Sequence, residues 1–258
     1  MPLHMRSLLD KEMGELRETI VEMSSRVDQA IDQAMQALAE RDLAKAQQVV
    51  AGDAEINRLR YKVETDSMNI LATQQPMAGD LRFVVGTIHI AVELERMGDH
   101  AAGIARLAER LGEEEPMDSL FKLPKMAKRA RKMLKTSIDA YINRATSIAQ
   151  TSAGKDNKLD KNYRDLFDVT VTVAAQHAHF RRATYLLWIG HNLERIGDRA
   201  VNIAERVIYV TTGEFVEFQP AFHFADAPGP KRRSTPAPTG EKAEAPAESV
   251  EKGESEAT

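Results

Sequence analysis

At 258 residues, 43% hydrophobic and 29% charged, the chain has the profile of a soluble globular protein with room for one large core or two smaller ones. A formal net charge of −4 excludes a general attraction to nucleic acid or anionic lipid. The absence of cysteine excludes disulfides, thiolate nucleophiles and cysteine-type zinc sites, so any metal must use oxygen or nitrogen ligands.

Aromatics make up only 5%, while Ala, Leu, Met, Glu, Arg and Lys abound; these side chains lose little rotamer freedom in a helix, so the expected class is all-α. The opening MPLHMRSLLDKEMGELRE reaches charged residues too soon for a signal peptide, and no run of about 18 apolar residues is present to span a bilayer. The expectation is a cytoplasmic protein.

From Leu9, apolar positions at Met13, Leu16, Ile20, Met23, Val27, Ala30, Ala34 and Leu38 fall at spacings of four or three, the seam of a helical bundle. The seam stops near Glu40-Arg41-Asp42. A second helix is predicted from Leu43 to about Thr73, ending before Gln74-Gln75-Pro76 because proline disfavours α geometry in the residue before it. A third runs to Leu111-Gly112, where glycine suits a C-terminal cap. The segment GEEEPMDSLFKLP then separates a second set: Lys125 to Arg144, Ser147 to Ala175, and Phe180 to Thr212 before Gly213. Six long helices in two tandem three-helix bundles are expected, over residues 1–112 and 113–218. Beyond Phe218, six of the ten prolines fall among Ala, Glu, Ser, Lys and Gly; such a stretch cannot bury enough apolar surface to offset its ordering entropy, so 219–258 is expected to be a disordered tail. Its Lys231-Arg232-Arg233 run reads as solvated charge.

The two halves share a sentence. ELERMGDHAAGIAR, from Glu93, returns as NLERIGDRAVNIAER, from Asn192, with every match displaced by 99 residues (Glu95 to Glu194, Asp99 to Asp198) and no gap. This is the signature of an internal duplication. Residues four apart lie on one helical face, so Glu95 with Asp99, and Glu194 with Asp198, each present two carboxylates side by side. A DxxxN pair, Asp53 and Asn57, and a DxxxD pair, Asp156 and Asp160, lie on the preceding helices.

In an antiparallel hairpin, residues equally far from the turn stand at the same height. Asp53 and Asp99 are equidistant from Pro76, as are Asn57 and Glu95; Asp156 and Asp198 are equidistant from His177, as are Asp160 and Glu194. The same rule about the Glu40-Arg41 turn and about Ser147-Ile148 brings Asp28 to the level of Asp53 and Asp139 to that of Asp156. Each half is thus expected to gather acids from three helices. Such a cluster repels itself unless protonated or bridged by cations, and carboxylate oxygens suit divalent or trivalent ions such as Mg²⁺, Mn²⁺, iron or Zn²⁺; the alternative is a solvated acidic rim. His191 shares a face with Glu194 and Asp198 as an additional ligand or supporting base, although Val92 stands at its place in the first half. Gly98 and Gly197 inside helices suggest close approach of a neighbour. The methionines at helical spacing and Trp188 read as core.

No nucleophile elbow, phosphate-binding loop, dinucleotide motif or triad appears, so a non-enzyme is expected. The alternative is a carboxylate-bridged metal oxidase or hydrolase, but the Glu-x-x-His motifs of di-iron four-helix bundles are missing.

Over roughly residues 5 to 218 the chain resembles the PhoU family of bacterial phosphate-signalling regulators, through ELERMGDHA and NLERIGDRAVNIAE, the QQPMAGDLRFVV turn, GDAEIN, KDNKLD and VIYVTTGE. The resemblance implies two tandem three-helix bundles. It also implies E/DxxxD metal-binding motifs at Asp53/Asn57, Glu95/Asp99, Asp156/Asp160 and Glu194/Asp198, Asn57 departing from the acidic form and weakening the first site. It further implies a peripheral, usually dimeric cytoplasmic protein. Such a protein damps the phosphate-starvation response by working with the ATPase of the phosphate ABC transporter and a sensor histidine kinase.

Overall fold

The computed structural model describes residues 3–114, 120–154, 156–174 and 180–218, with only the backbone of 3–5, 153, 156, 173 and 174. The described residues are helical throughout except for turns and the final segment 213–218. In chain order the helices are α1 (Leu3–Glu40), α2 (Leu43–Gln74), α3 (Gly79–Gly112), α4 (Leu123–Asn143), α5 (Thr146–Ala153), α6 (Asp156–Ala174) and α7 (Phe180–Thr212). The all-α class and the three-plus-three arrangement stand. The fifth predicted helix does not run unbroken: it is interrupted at Gly154, giving α5 and α6. α5 is the eight-residue TSIAQTSA, poor in strong helix formers, and glycine costs roughly 1 kcal/mol relative to alanine in a helix interior.

Each boundary has a local cause. Arg41 takes a left-handed conformation (φ 56), and the Asp42 carboxylate accepts the Lys45 N–H at 3.0 Å to cap α2. Left-handed Gln75 (φ 47) closes α2, one residue before the proline that marks the turn. α4 carries its proline in the first turn, where the missing N–H has no intrahelical partner to lose.

The α1 seam buries Leu9, Met13, Leu16, Ile20, Met23, Val27, Ile31, Ala34 and Leu38; Ile31 takes the central place expected for Ala30, which packs at its edge. α3 and α7 have the widest buried faces because each is packed by helices of both halves. One continuous core therefore runs through all the helices. α3 and α7 form the most extensive helix pairing and run antiparallel: Gly86 lies against Val210, Glu93 meets Arg199 and Asn202, and His100 meets Asn192.

That seam carries an internal two-fold. Moved by the 99-residue displacement of the repeat, Glu93 becomes Asn192 and Arg199 corresponds to His100. The Glu93–Arg199 contact (3.3 Å) is thus repeated as Asn192–His100 (3.0 Å). Likewise the Asn202–Glu93 bond (3.2 Å) is mirrored by the approach of Gly103 to Asn192. The duplication read from the sequence is a symmetry of the fold.

Candidate metal centre

The first acidic cluster forms where α2 passes α3. Gly98 makes this possible: a Cβ there would stand 2.9 Å from Ile56 Cδ1 and 3.1 Å from Asp53 Oδ1, so its absence lets Asp53 reach the α3 motif. Asp53 Oδ2 accepts from Asn57 Nδ2 at 3.3 Å. Its Oδ1 is buried with no hydrogen-bond partner among the described residues. Burial and the neighbouring Asp99 raise the Asp53 pKa, with Arg106 and the Asn57 bond opposing. Burial also raises Glu95, and Asp99 and Asp53 add to the effect against the pull of Arg60, whose Nε lies 3.7 Å from Glu95. Asp53, Glu95 and Asp99 thus act on one another across two helices, at the levels their distances from Pro76 require.

The second cluster is its counterpart between α6 and α7. Burial, reinforced by Asp198, pushes the Asp160 carboxyl up to about 6, against the pull of Arg164. Burial likewise raises Asp198, opposed by Arg195, Arg199 and His191; Arg195 pairs with Asp198 at 2.9 Å. Glu194 lies beside Tyr163, whose phenol it helps to keep protonated after burial, and 3.5 Å from His191 Nδ1. His191 therefore touches this cluster, as its helical phase predicts. Asp156 opens α6; its side chain lies outside the described residues, as do His177 and residues 219–258 with Lys231, Arg232 and Arg233.

The third acids are elsewhere. Asp28 is gripped by Arg131 of α4, Nε to Oδ1 at 2.7 Å and a second guanidinium nitrogen to Oδ2 at 2.8 Å, and Asp32 takes the remaining fork. Asp139 lines the same groove between α1 and α4. Neither acid is among the charges that act on Asp53, Glu95, Asp160 or Asp198. Distance from a turn fixes height along a helix but not the direction a side chain faces; Asp28 faces α4, not α2. Trp188 is also not core: it is 51% exposed on α7.

Two bases that the acid spacing alone does not announce, Arg60 and Arg195, stand among these acids. Arg60 lies three residues beyond Asn57 on the same face of α2, and Arg195 adjoins Glu194 in the repeated motif; both spacings were open to inspection. As for a metal, the donors present are carboxylate oxygens, one amide and one imidazole, a set that hard and borderline cations accept. The orphaned Asp53 Oδ1 and the mutual repulsion of the acids fit such an ion. Among the described residues, however, no three His, Asp or Glu side chains already stand together as a preformed ligand set.

Known proteins share this architecture. The PhoU domain model matches residues 20–108 and 123–207, one match per half. A phosphate-specific transport system accessory protein PhoU homolog of Clostridium acetobutylicum is 31% identical, aligned over 82% of this chain and 98% of its own. The homolog of the same name from Aquifex aeolicus is 35% identical over 82% of this chain and 96% of its own. The crystal structure of the phosphate transport system regulatory protein PhoU from Streptococcus pneumoniae superimposes with a TM-score of 0.76 at 32% identity, covering 81% of this chain and 99% of that one. With both halves matched and the likeness extending over nearly the full length of these relatives, the chain belongs to the PhoU family.

Proposed function

We propose that the protein is a non-enzymatic accessory regulator of phosphate-specific transport, acting in the cytoplasm to hold phosphate uptake and starvation signalling down when phosphate is plentiful. The observation that carries this reading is the alignment with phosphate-specific transport accessory proteins over nearly their whole length. The partners it would engage are the ATPase of the phosphate ABC transporter and a sensor histidine kinase, as a homodimer. No helix among the described residues is long and apolar enough to cross a membrane, in keeping with a protein brought to the transporter by its partners.

Metal ions complete the reading. Asp53, Asn57, Glu95 and Asp99 would hold one set of Mg²⁺, Mn²⁺, iron or zinc ions, and Asp160, Glu194 and Asp198, with Asp156, another. The ions would neutralise acids that otherwise repel one another and so fix the surface offered to partners. Deleting the gene is expected to switch on phosphate-starvation genes in phosphate-rich medium; unchanged expression sinks the regulatory reading. Elemental analysis of protein purified without chelator tests the metal. Content should fall in both Glu95→Ala/Asp99→Ala and Glu194→Ala/Asp198→Ala, and equal content in all three samples removes these sites.

A further inference from the structure

The internal two-fold of the α3–α7 seam relates two clefts, one at each end, and among the described residues only one of them is covered by the chain itself. The covered cleft, about 220 Å³, is walled by His89 and Glu93 of α3 and by Asn202, Glu205, Arg206 and Tyr209 of α7. Across it runs the extended segment that follows α7. Gly213, in a left-handed conformation (φ 86), turns the chain off the helix. Phe215 stacks on Tyr209 with ring centroids 4.3 Å apart, and the Phe218 N–H donates to Glu205 at 2.7 Å.

The 99-residue displacement carries each wall residue of that cleft onto one of the other. His89 becomes Trp188 and Glu93 becomes Asn192; Asn202, Glu205, Arg206 and Tyr209 become Gly103, Arg106, Leu107 and Arg110. All six, with His191, line a surface cleft of about 350 Å³. The architecture is kept and the chemistry is changed. Where the covered cleft has Glu205 and Tyr209, this one has two exposed arginines one helical turn apart, neither in an ion pair with any described residue. Where it has His89, this one has the half-exposed Trp188. Asn192 is held rigidly between them, donating to the Trp188 carbonyl at 2.8 Å and bonded to His100 at 3.0 Å.

We propose that the Arg106/Arg110/Trp188 cleft is a docking site for an extended segment of a partner protein in which an aromatic residue is flanked by carboxylates. The covered twin shows that the walls of such a cleft accept an extended chain with an aromatic ring laid on the position of Arg110. The segment lying there, Glu-Phe-Val-Glu-Phe at 214–218, is itself acidic and aromatic. Replacing Glu205 by Arg106 and Tyr209 by Arg110 makes the open cleft the better electrostatic match for such a sequence, because guanidinium forks bind carboxylates and stack on rings. An exposed tryptophan beside two arginines is also the composition of an interface hot spot. This inference is independent of the phosphate reading, since its test involves neither phosphate nor transporter.

Trp188 is the single tryptophan of the chain, so its emission reports on this cleft alone. Titrating the full chain with the end-blocked peptide GEFVEF, the sequence of residues 213–218, should change that emission saturably, and calorimetry gives a second reading of the same binding. Both charges being at the surface, Arg106→Glu/Arg110→Glu should keep the helical circular dichroism while weakening the peptide by about tenfold or more, as expected when close charge pairs across an interface become like-charged. The charge-reversed peptide GKFVKF should not bind. Absence of saturable emission change and heat with GEFVEF overturns the proposal, as does equal binding by GKFVKF or by the double variant. A dimer that the double variant dissociates, with no peptide bound by the parent, would make a second copy the occupant and overturns it equally.

Discussion

Asn57 in the first acidic cluster stands where the second has Asp160, and Arg60 stands where the second has Tyr163. The first exchange leaves the first cluster one carboxylate short; the second only moves the arginine by one position, because Arg164 stands where the first half has Tyr61. The basic partners differ accordingly: Arg60 lies 3.7 Å from Glu95 and draws its pKa back down, whereas in the second cluster Arg164 acts on Asp160 and Arg195 pairs with Asp198 at 2.9 Å. Asp160, beside Asp198, is pushed up to about 6. Duplication supplied two copies of one helical crossing, and the exchange of Asn57 for Asp160 on the flanking helix set them at different charge. The repeated ExxxD motif is the constant part of each site, and the helix packed against it is where the halves differ.

If that difference governs ion binding, the second cluster is the stronger site, and removing its α7 acids should have the largest effect. Glu194→Ala/Asp198→Ala is expected to abolish the tighter class of Mn²⁺ binding in equilibrium dialysis, while Glu95→Ala/Asp99→Ala abolishes only the weaker class. The reverse order would mean that the Asn57 and Arg60 substitutions do not set affinity. A smaller effect should follow from making the first cluster resemble the second. In Asn57→Asp/Arg60→Tyr the weaker class is expected to tighten by about tenfold, since an added anionic oxygen and a removed guanidinium both favour a bound cation. Dialysis of this variant in the Glu194→Ala/Asp198→Ala background isolates that change.

What the sequence made legible here was height, not direction. The α1 seam follows from a run of three- and four-residue spacings that only a helix satisfies, and the meeting of Asp53 with Asp99 follows from their equal distance from Pro76. Asp28 satisfies the same distance rule and still faces the other way, because the rule says nothing of rotation about the axis; Arg131, more than a hundred residues away in sequence, holds it. The break at Gly154 was hidden because one glycine costs a helix only roughly 1 kcal/mol, too little to separate a continuous helix from α5 and α6. Trp188 was misplaced for a different reason. A large aromatic at helical spacing is ordinarily core, and its exposure becomes intelligible only beside its two-fold counterpart His89 and the arginines facing it from α3.

The smallest expected effect is on the apoprotein's stability, and it isolates the one acid that the first cluster lacks. With its folded pKa near 6 and an ordinary unfolded value, Asp160 binds its proton more tightly in the folded state, so folding is favoured while that proton is present. This contribution is complete at acidic pH below the ordinary aspartate range and is lost as the pH rises through 6, leaving an ionised Asp160 that opposes folding at pH 7. Asp160→Asn fixes the neutral form, much as Asn57 does in the first cluster. In EDTA at pH 7 the variant should therefore melt above the parent by about 2–4 °C, the shift that roughly 1 kcal/mol gives a domain of this size once solvent screening at a half-buried carboxylate is allowed for. The gap should close toward pH 4, where the parent's Asp160 is largely protonated. Saturating Mn²⁺ should invert the order at pH 7, because the parent then gains the stabilisation of a ligand bound only to the folded state. A variant that melts with the parent at both pH values in EDTA would show that the carboxylates of the second cluster are not held in mutual repulsion, and with that the electrostatic contrast between the two halves would lose its basis.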